Sequence, residues 1–411
     1  MLRFFLIPAR GHVSIPARGQ ASIPARGLAP LALRALAPIL ALALCVPAAS
    51  AAPSGAPVVV GAILSTSGLY APLGEPERNA LKLAEADINA QGGINGHPLQ
   101  ISIVDDEGKG DTAAQLATSL IGQNVAAIIG GSLTPTSAAI ARVTQAAKVL
   151  QIYMTPTSQL WDTKAGVAAD LFEATPRNAL EAVKLLSFAK AKLGTKKIGL
   201  LHDDAPYGTA GAAVATAEAA NQGLTIVDDE PFPIATTDLT AQLGKIKAGG
   251  ADTIVIWTAS PAAALAVRQI RQLGLNVKIV GSTGIVSDNF LRVAGKDGEG
   301  VTSDMDLNVT HPNAAQRAFL NAYRAAYHAR PNNFASFAWD AAHLAARALT
   351  ARALEHARGK TTGDSLAAEL HAMRPYTGST GTFRFTATDH NGMRPEDIHI
   401  AVDRNGVWFT E

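Results

Sequence analysis

The strongest constraint on the fold is a repeated alternation between short apolar runs and longer helical patterns. The run Val58–Leu64 passes into the polar loop Ser65–Gly68. Further along, Ala126–Gly130 is followed by a helical pattern over Ser137–Gln145. Apolar runs bounded by turn residues are typical of buried strands, and strands that alternate with helices at this spacing indicate parallel βαβ units. The sequence therefore predicts an α/β fold.

This alternation occurs in two successive sets, which are separated by the break Thr175–Asn178. A chain of 411 residues is also too long for one ordinary hydrophobic core. We therefore predict two doubly wound lobes. The expected strands are Val58–Leu64, Leu99–Val104, Ala126–Gly130 and Leu150–Met154 in the first set, and Ile198–His202, Leu224–Val227, Thr253–Trp257 and Val277–Gly281 in the second.

Helix start signals and turn residues complete the predicted secondary structure. Pro76 is expected to open the first helix, with Glu77 in the first turn, where the helix dipole favours a negative charge. Both Asn-Gly pairs near the C-terminus, Asn391-Gly392 and Asn405-Gly406, are good hairpin turns. The tail is expected to add closing strands to an existing sheet, and the remaining predicted elements are the helices Asn313–His328 and Ala335–Ala357 and the strands Thr382–Phe385, Ile398–Val402 and Val407–Phe409.

The N-terminus has the features of a secretory signal peptide. Arg26 and Arg34 precede the apolar run Ala35–Val46, and Ala49-Ser50-Ala51 follows as a small-x-small cleavage site. The run is shorter than the ~20 residues needed to span a bilayer. We predict cleavage after Ala51 and a periplasmic location. The alternative is a lipoprotein anchored through Cys45, although the large residue Leu44 precedes it.

A short repeat lies upstream of the apolar run. Its copies are Ile7–Gly11, Ile15–Gly19 and Ile23–Gly27. Stacked repeat folds need longer units with an apolar face. We therefore expect this extension, within the signal-peptide segment 1–51, to be disordered.

Composition and motifs exclude several classes of function. The net charge of +1 gives no electrostatic case for a nucleic-acid partner. The single cysteine rules out an intrachain disulfide framework and a thiolate metal site. The sequence contains no His-Glu-x-x-His motif, no G-x-G-x-x-G after the first strand, no Walker lysine and no G-x-S-x-G elbow. We therefore expect no cofactor, no metal and no enzymatic activity.

The segment Ile129–Thr136 is a candidate anion site. An apolar strand ends at Gly130-Gly131, and Ser132, Thr134 and Thr136 then lead into a helix. Free backbone N–H groups and hydroxyls collect at such a helix start, and ligands bind open α/β sheets at the carboxyl ends of their strands. The alternative is that these side chains only cap the helix.

These motifs together resemble the periplasmic branched-chain amino acid binding proteins of ABC transporters, the leucine/isoleucine/valine-binding type. The resemblance covers essentially residues 57–411. Its most specific motif is Ala86–Gly96, and the other matching stretches are Gly61-Ala62, Ser67-Gly68, Gly74, Asp105-Asp106, Ile129–Gly131, His202–Asp204, Tyr207-Gly208, Arg268-Gln269 and Leu273-Gly274.

The resemblance implies a type I periplasmic binding fold, with two lobes joined by three crossovers and a ligand cleft that closes by a hinge. It would place residues 57–175 and 309–377 in lobe 1, and residues 176–306 and 380–411 in lobe 2. The implied partners are a small-molecule carboxylate ligand and an inner-membrane ABC permease, and the protein would be a monomer.

The resemblance also implies a set of ligand-binding residues. Ser132, Leu133 and Thr134 would hold a ligand carboxylate, and Thr157 and Ser158 would form a second loop. Tyr207 would close from the second lobe. The remaining positions are Phe337 on the wall, Tyr70 in the first loop, Ala259 and Thr283.

Three positions depart from the amino acid binders. Thr283 stands where those proteins have a glutamate that pairs with the ligand ammonium, and Ala259 and Leu73 stand in place of tyrosines. A buried ammonium without a carboxylate partner is costly. We therefore infer a carboxylic acid without an α-amino group, aromatic or aliphatic; an amide or a hydroxylated ligand also fits. A branched-chain amino acid stays open, because Asp203 or Asp204 could replace the glutamate, although an Asx turn is their structural alternative.

Three functions from different classes follow. The first is a solute-binding protein that delivers a small acid to an ABC importer. The second is a periplasmic sensor that presents its ligand to a membrane receptor or kinase. The third, a secreted α/β enzyme, would need a base and a nucleophile facing each other in the cleft, and the sequence offers no such pair.

Overall fold

The structure of the protein is a computed structural model that describes residues 52–164, 166–356 and 362–411, without the side chains of 352–356. The predicted signal peptide with its cleavage site, the upstream repeat and Cys45 lie outside these residues, as does Ala357 at the end of a predicted helix. Within the described ranges, no helix has both the length and the apolar character needed to span a bilayer.

The first lobe is built on a parallel five-stranded sheet with the strand order β2-β1-β3-β4-β7. Its strands are short and mostly buried on both faces, which explains their continuous apolar runs. The elements of this segment are β1 Val58–Leu64, α1 Ala71–Ala90, β2 Leu99–Asp105, α2 Gly110–Gly122, β3 Ile128–Gly130, α3 Thr134–Ala147, β4 Gln151–Tyr153, the hairpin strands β5 Asp162–Thr163 and β6 Gly166–Val167, and β7 Leu171–Glu173.

The second lobe is built on a seven-stranded sheet with the order β16-β15-β12-β11-β10-β8-β9, in which the two C-terminal strands are antiparallel. Its elements before the return crossover are α4 Asn178–Leu193, β8 Lys197–Asp203, α5 Pro206–Asn221, β9 Thr225–Phe232, α6 Thr240–Ala248, β10 Thr253–Trp257, α7 Ala262–Gln272, β11 Lys278–Gly281, α8 Asp288–Ala294 and β12 Thr302–Met305.

The chain passes between the lobes three times: after Glu173, after Met305, and between Thr377 and His399. After the second passage, helix α10 packs along α1 of the first lobe. The fold is thus two doubly wound lobes joined by three crossovers, as the sequence predicts. The elements that follow Met305 are α9 Ala314–Tyr327, α10 Asn333–His356, α11 Gly363–Ala372, the separate hairpin β13 Tyr376–Thr377 and β14 Thr382–Phe383, β15 His399–Asp403 and β16 Trp408–Thr410.

The start of the first helix differs from the prediction. Helix α1 begins at Ala71, and the proline in its first turn is Pro72, so Pro76 lies inside the helix. Proline is favoured at the first helical positions, and the prediction chose the wrong one of two prolines. As a result, Glu77 does not lie in an exposed first turn; its side chain is fully buried.

The C-terminal turns differ from each other. Asn405 and Gly406 have positive φ angles of 56° and 72° and join β15 to β16, so this hairpin prediction is confirmed. Asn391 instead is buried, and its side-chain amide donates to the carbonyl of Thr175. The predicted strand Thr382–Phe385 is shortened to β14, and it pairs with β13 in a separate hairpin rather than closing the existing sheet.

Candidate functional site

A cavity lies between the two lobes, at the carboxyl ends of strands from both sheets. Its volume is about 600 Å³, including its open mouth. Apolar side chains form most of the lining, and among the described residues Asp203 is the only carboxylate in it. The lining residues are Tyr70, Leu73, Ser132, Leu133, Thr134, Pro135, Met154, Thr155, Pro156, Asp203, Ala205, Tyr207, Ile234, Ala259, Thr283, Gly284, Phe334 and Phe337.

The structure brings most of the sequence-predicted site residues to this cavity. Thr157 and Ser158 do not line it, and Thr155 and Pro156 take that place. The carbonyl of Thr157 accepts from the Tyr153 hydroxyl at 3.1 Å, and its own hydroxyl bonds Gln159 at 3.1 Å. The loop therefore folds back on itself, and it contributes Thr155 and Pro156 to the cavity lining in place of the predicted Thr157 and Ser158. The predicted residues that do line the cavity are Tyr70, Ser132, Leu133, Thr134, Tyr207, Ala259, Thr283 and Phe337.

Several lining residues were not predicted. Ile234 is the least expected, because it lies in the polar loop after β9. An isolated apolar residue in such a loop is a weak signal, since exposed apolar residues are common. Phe334 lies three positions before Phe337 on α10. Residues at this spacing lie on the same face of a helix, so the aromatic pair could have been recognised.

Ser132 uses its hydroxyl within the protein. The Ser132 hydroxyl accepts the Ser65 N–H at 3.0 Å and donates to the Glu77 carboxyl. Burial raises the pKa of Glu77 to about 8, despite the hydrogen bond from Ser132. Glu77 is therefore protonated at neutral pH. This network holds the loops after β1 and β3 together, and it leaves Ser132 little capacity for a ligand.

Thr134 provides an available hydroxyl on the first-lobe side of the cavity. It is the first residue of α3, and Leu133, which precedes it, donates its N–H to the Thr136 hydroxyl at 3.3 Å. Within the described part of the chain, no protein group bonds the Thr134 hydroxyl. A hydroxyl beside the free N–H groups of a helix start provides donors for an anion. This end of the cavity can thus accept a carboxylate.

Asp203 is the acidic group of the second lobe. It is buried at the end of β8, where its carboxylate accepts the Ala205 N–H at 3.1 Å and the hydroxyl of Thr258. Burial raises the pKa of Asp203. Burial and, secondarily, the charge of Asp203 raise the pKa of Tyr70 to about 12, so Asp203 acts on a side chain of the other lobe. Asp204 is exposed and does not line the cavity.

Thr283 and Tyr207 form the uncharged part of the second-lobe wall. The Thr283 hydroxyl accepts the side-chain amide of Asn333 at 2.6 Å. Burial and then the carboxyl of Glu181 raise the pKa of Tyr207. A Cβ atom on Gly284 would lie 2.9 Å from a ring carbon of Tyr207. The Tyr207 ring therefore packs on bare backbone, while its hydroxyl lies near Glu181 in the interior.

Three further carboxyls, those of Glu181, Asp304 and Asp306, are fully buried beneath the second-lobe wall. Burial raises the pKa of all three, and that of Asp304 to about 8. Asp304 is therefore protonated at neutral pH, and burial favours the neutral forms of the other two. Among the residues that the structure describes, no group of histidine, cysteine and acidic side chains has the arrangement of a metal site.

Comparisons with known proteins agree with this architecture. Residues 57–400 match the family model described as periplasmic binding protein. The Leu/Ile/Val-binding protein homolog 3 of Brucella melitensis is 23% identical over 334 residues, which are 81% of this chain and 88% of that protein.

Solved structures give the same result. The branched-chain amino acid transporter substrate-binding protein LivJ of Streptococcus pneumoniae, in complex with isoleucine, has a TM-score of 0.75 and 26% identity, covering 86% of this chain and 99% of that one. An ABC transporter solute-binding protein from R. palustris, in complex with benzoate, has a TM-score of 0.74 at 22% identity, covering 87% and 95% of the two chains.

Proposed function

Because the chain belongs to the periplasmic binding protein family, we propose that it is an extracytoplasmic solute-binding protein that delivers a small carboxylate-bearing ligand to an ABC importer. Its export would use the N-terminal signal peptide with cleavage after Ala51, and it would act as a monomer. The partner would be an inner-membrane permease.

The observation that carries the proposal is the free hydroxyl of Thr134 at the start of α3. The ligand carboxylate would accept from this hydroxyl and from the backbone N–H groups of the first helical turn. Asp203 lies on the other lobe and would repel a carboxylate there. The two groups together would orient the ligand with its carboxylate toward the first lobe.

The rest of the cavity favours an acid with an apolar body. Leu133, Met154, Phe334 and Phe337 contribute apolar walls, which can bury an aromatic or aliphatic group. Thr283 offers only a hydroxyl that is already bonded to Asn333. An ammonium group would find no carboxylate at this position, which supports a ligand without an α-amino group.

Asp203 favours a second candidate, an amino acid such as leucine, isoleucine or valine. Of the residues that the structure describes at this cavity, its carboxylate is the one acidic group that could pair with an ammonium. The similarity to Leu/Ile/Val-binding proteins also supports this ligand class. Its two oxygens already accept bonds from Ala205 and Thr258, and for this reason we rank the candidate second.

Transport would require the lobes to close on the ligand. The cavity takes side chains from both lobes, and the three crossovers between them would act as the hinge. Closure would bury the ligand and bring the two lobe surfaces into one orientation that a permease could recognise. A ligand sensor would use the same closure to present its ligand to a membrane receptor or kinase. Genes next to this one would distinguish the two functions: permease and ATPase genes would favour transport, and a kinase gene would favour sensing.

A thermal-shift screen of the exported protein tests the ligand class. The panel pairs acids with their amino acids: 3-phenylpropanoate with phenylalanine, and 4-methylpentanoate with leucine. A ligand at a hundred times its Kd adds about 2.7 kcal/mol to the free energy of unfolding. We expect shifts with the acids and none with the amino acids. Shifts with leucine or phenylalanine alone would favour the second candidate, and no shift from any small molecule would contradict the proposal.

A further inference from the structure

A second cavity adjoins the ligand cavity. It lies between the loop and first turn of α1 in the first lobe and the starts of α7 and α8 in the second, with a volume of about 300 Å³ that includes its open mouth. Its lining residues are Leu69, Pro72, Leu73, Ala259, Ser260, Pro261, Ala263, Ala264, Gly284, Ile285, Ser287, Asn289 and Phe290.

The two cavities share a wall made by Leu73, Ala259 and Gly284, each of which lines both of them. Leu73 faces the wall from the first lobe, and the second lobe contributes only a methyl group and a glycine. A larger side chain at Gly284 is excluded, because its Cβ would lie 2.5 Å from the carbonyl oxygen of Thr258. On the second-lobe side, the boundary between the two cavities is therefore formed by small residues only.

The second cavity also has an apolar rim that the fold itself does not cover. Leu69 is 46% exposed, in contrast to Leu73 of the same segment, which is 4% exposed. Pro72 lines the cavity beside it, and Phe290 is a buried apolar residue of the lining. The hydroxyls of Ser260 and Ser287 accept hydrogen bonds from the N–H groups of Ala262 and Phe290 at 3.3 and 3.1 Å. Both hydroxyls are therefore already hydrogen-bonded to backbone at the starts of α7 and α8.

We propose that the second cavity is an extension of the ligand site, and that the ligand is an elongated carboxylic acid. Its carboxylate binds at Thr134, and its apolar tail passes over Ala259 and Gly284 to lie against Leu69 and Phe290. This inference rests on the proposed function, because it takes the carboxylate position from it. It goes further in assigning a length to the ligand and a role to the exposed leucine.

The length dependence of binding tests the extension. The probes are a series of ω-phenylalkanoates, from phenylacetate to 6-phenylhexanoate, titrated by calorimetry into the exported protein. Each methylene that becomes buried should raise the affinity about fourfold. We expect the affinity to rise along the whole series. An affinity that peaks at phenylacetate or 3-phenylpropanoate and then falls would overturn the extension while leaving the proposed function in place.

A substitution confined to the second cavity provides the matched comparison. Asn289→Trp places a bulky ring in this cavity, and Asn289 does not line the ligand cavity. The control is Arg292→Trp, which adds the same ring on the exposed side of the same helix. Arg292 lines neither cavity. N289W should lower the affinity for 6-phenylhexanoate at least tenfold and that for phenylacetate less than twofold, and R292W should change neither.

The alternative outcomes are distinct. Equal effects of N289W on the short and the long acid, or no effect on either, would overturn the extension. If the wild-type protein binds none of the acids, the proposed function itself fails and the extension fails with it. Binding of phenylacetate by N289W also serves as the check that this variant is folded.

Discussion

The side-chain amide of Asn333, on α10, donates a hydrogen bond of 2.6 Å to the hydroxyl of Thr283, two residues after the end of β11. Helix α10 packs on the first lobe, whereas Thr283 belongs to the second. The bond therefore joins the lobes at the wall of the cavity. It also occupies the Thr283 hydroxyl, which lines the cavity, and this side chain offers no negative charge at this position.

Replacing Thr283 by glutamate should reverse the ligand preference. The new carboxylate would repel an acid and pair with an ammonium. In calorimetric titrations, T283E should lose at least tenfold in affinity for 3-phenylpropanoate and gain affinity for phenylalanine. T283S, which keeps the hydroxyl for Asn333, should resemble the wild type. An unchanged preference in T283E would mean that position 283 does not face the ligand.

Removing the Thr134 hydroxyl should weaken carboxylate binding. Thr134→Val keeps the shape of the side chain but deletes the donor, and a hydrogen bond to a charged group contributes about 1.5–3 kcal/mol. The affinity for 3-phenylpropanoate should fall roughly tenfold to a hundredfold in a calorimetric titration. T134S restores the donor and should recover most of the binding. Equal affinities of T134V and T134S would show that the carboxylate lies elsewhere.

Glu77 should make the folded protein less stable as the pH rises. Burial raises its pKa from 4.5 to about 8. Between these values the folded protein keeps the proton that the unfolded chain releases. The stability contribution of this group is therefore complete below pH 4.5 and is lost as the pH approaches about 8. Asp304 and Glu173, whose pKa values burial also raises to about 8, act in the same direction.

Glu77→Gln removes this titration while preserving an acceptor for Ser132. In urea unfolding at a series of pH values from about 5 to 8, the free energy of unfolding of E77Q should fall less steeply than that of the wild type. E396Q changes an exposed glutamate and should leave the slope unaltered. A wild-type slope in E77Q would mean that Glu77 is ionised in the folded protein.

His371 should stabilise the protein by donating a hydrogen bond to His390. The Nδ1 atom of His390 lies 2.8 Å from the Leu171 carbonyl, so it carries a proton, and its Nε2 accepts from His371 Nε2 at 2.8 Å. His371→Phe leaves this buried acceptor unpartnered, which costs about 1–3 kcal/mol. Chemical unfolding at pH 7 should show this loss for H371F and a smaller one for H371Q, which can donate from its side-chain amide. Equal losses would argue that ring packing dominates.

The apolar strands were predictable from sequence because their character is local. Val58–Leu64 and Thr253–Trp257 have the predicted bounds. The strands Leu171–Glu173 and Thr302–Met305 were missed, because each is short and contains a carboxyl that the fold buries in neutral form. A sequence pattern treats such a residue as charged and therefore as exposed.

The candidate site was predictable to a similar extent. The hydroxyl-rich loop after β3 could be placed at the site from the sequence, and Tyr207 and Phe337 from the family resemblance. The internal use of Ser132 could not, since it depends on Glu77, 55 positions away along the chain. The shift from Thr157 to Thr155 depends on a hydrogen bond from Tyr153 that no local pattern encodes.

Small-angle X-ray scattering of the exported protein, with and without the acid that gives the largest thermal shift, tests the central claim most directly. A ligand held between two hinged lobes should draw them together, so the radius of gyration should decrease at saturating ligand. T134V, at the same ligand concentration, should show less compaction. An unchanged radius of gyration at a saturation confirmed by calorimetry would contradict binding by closure of the cleft.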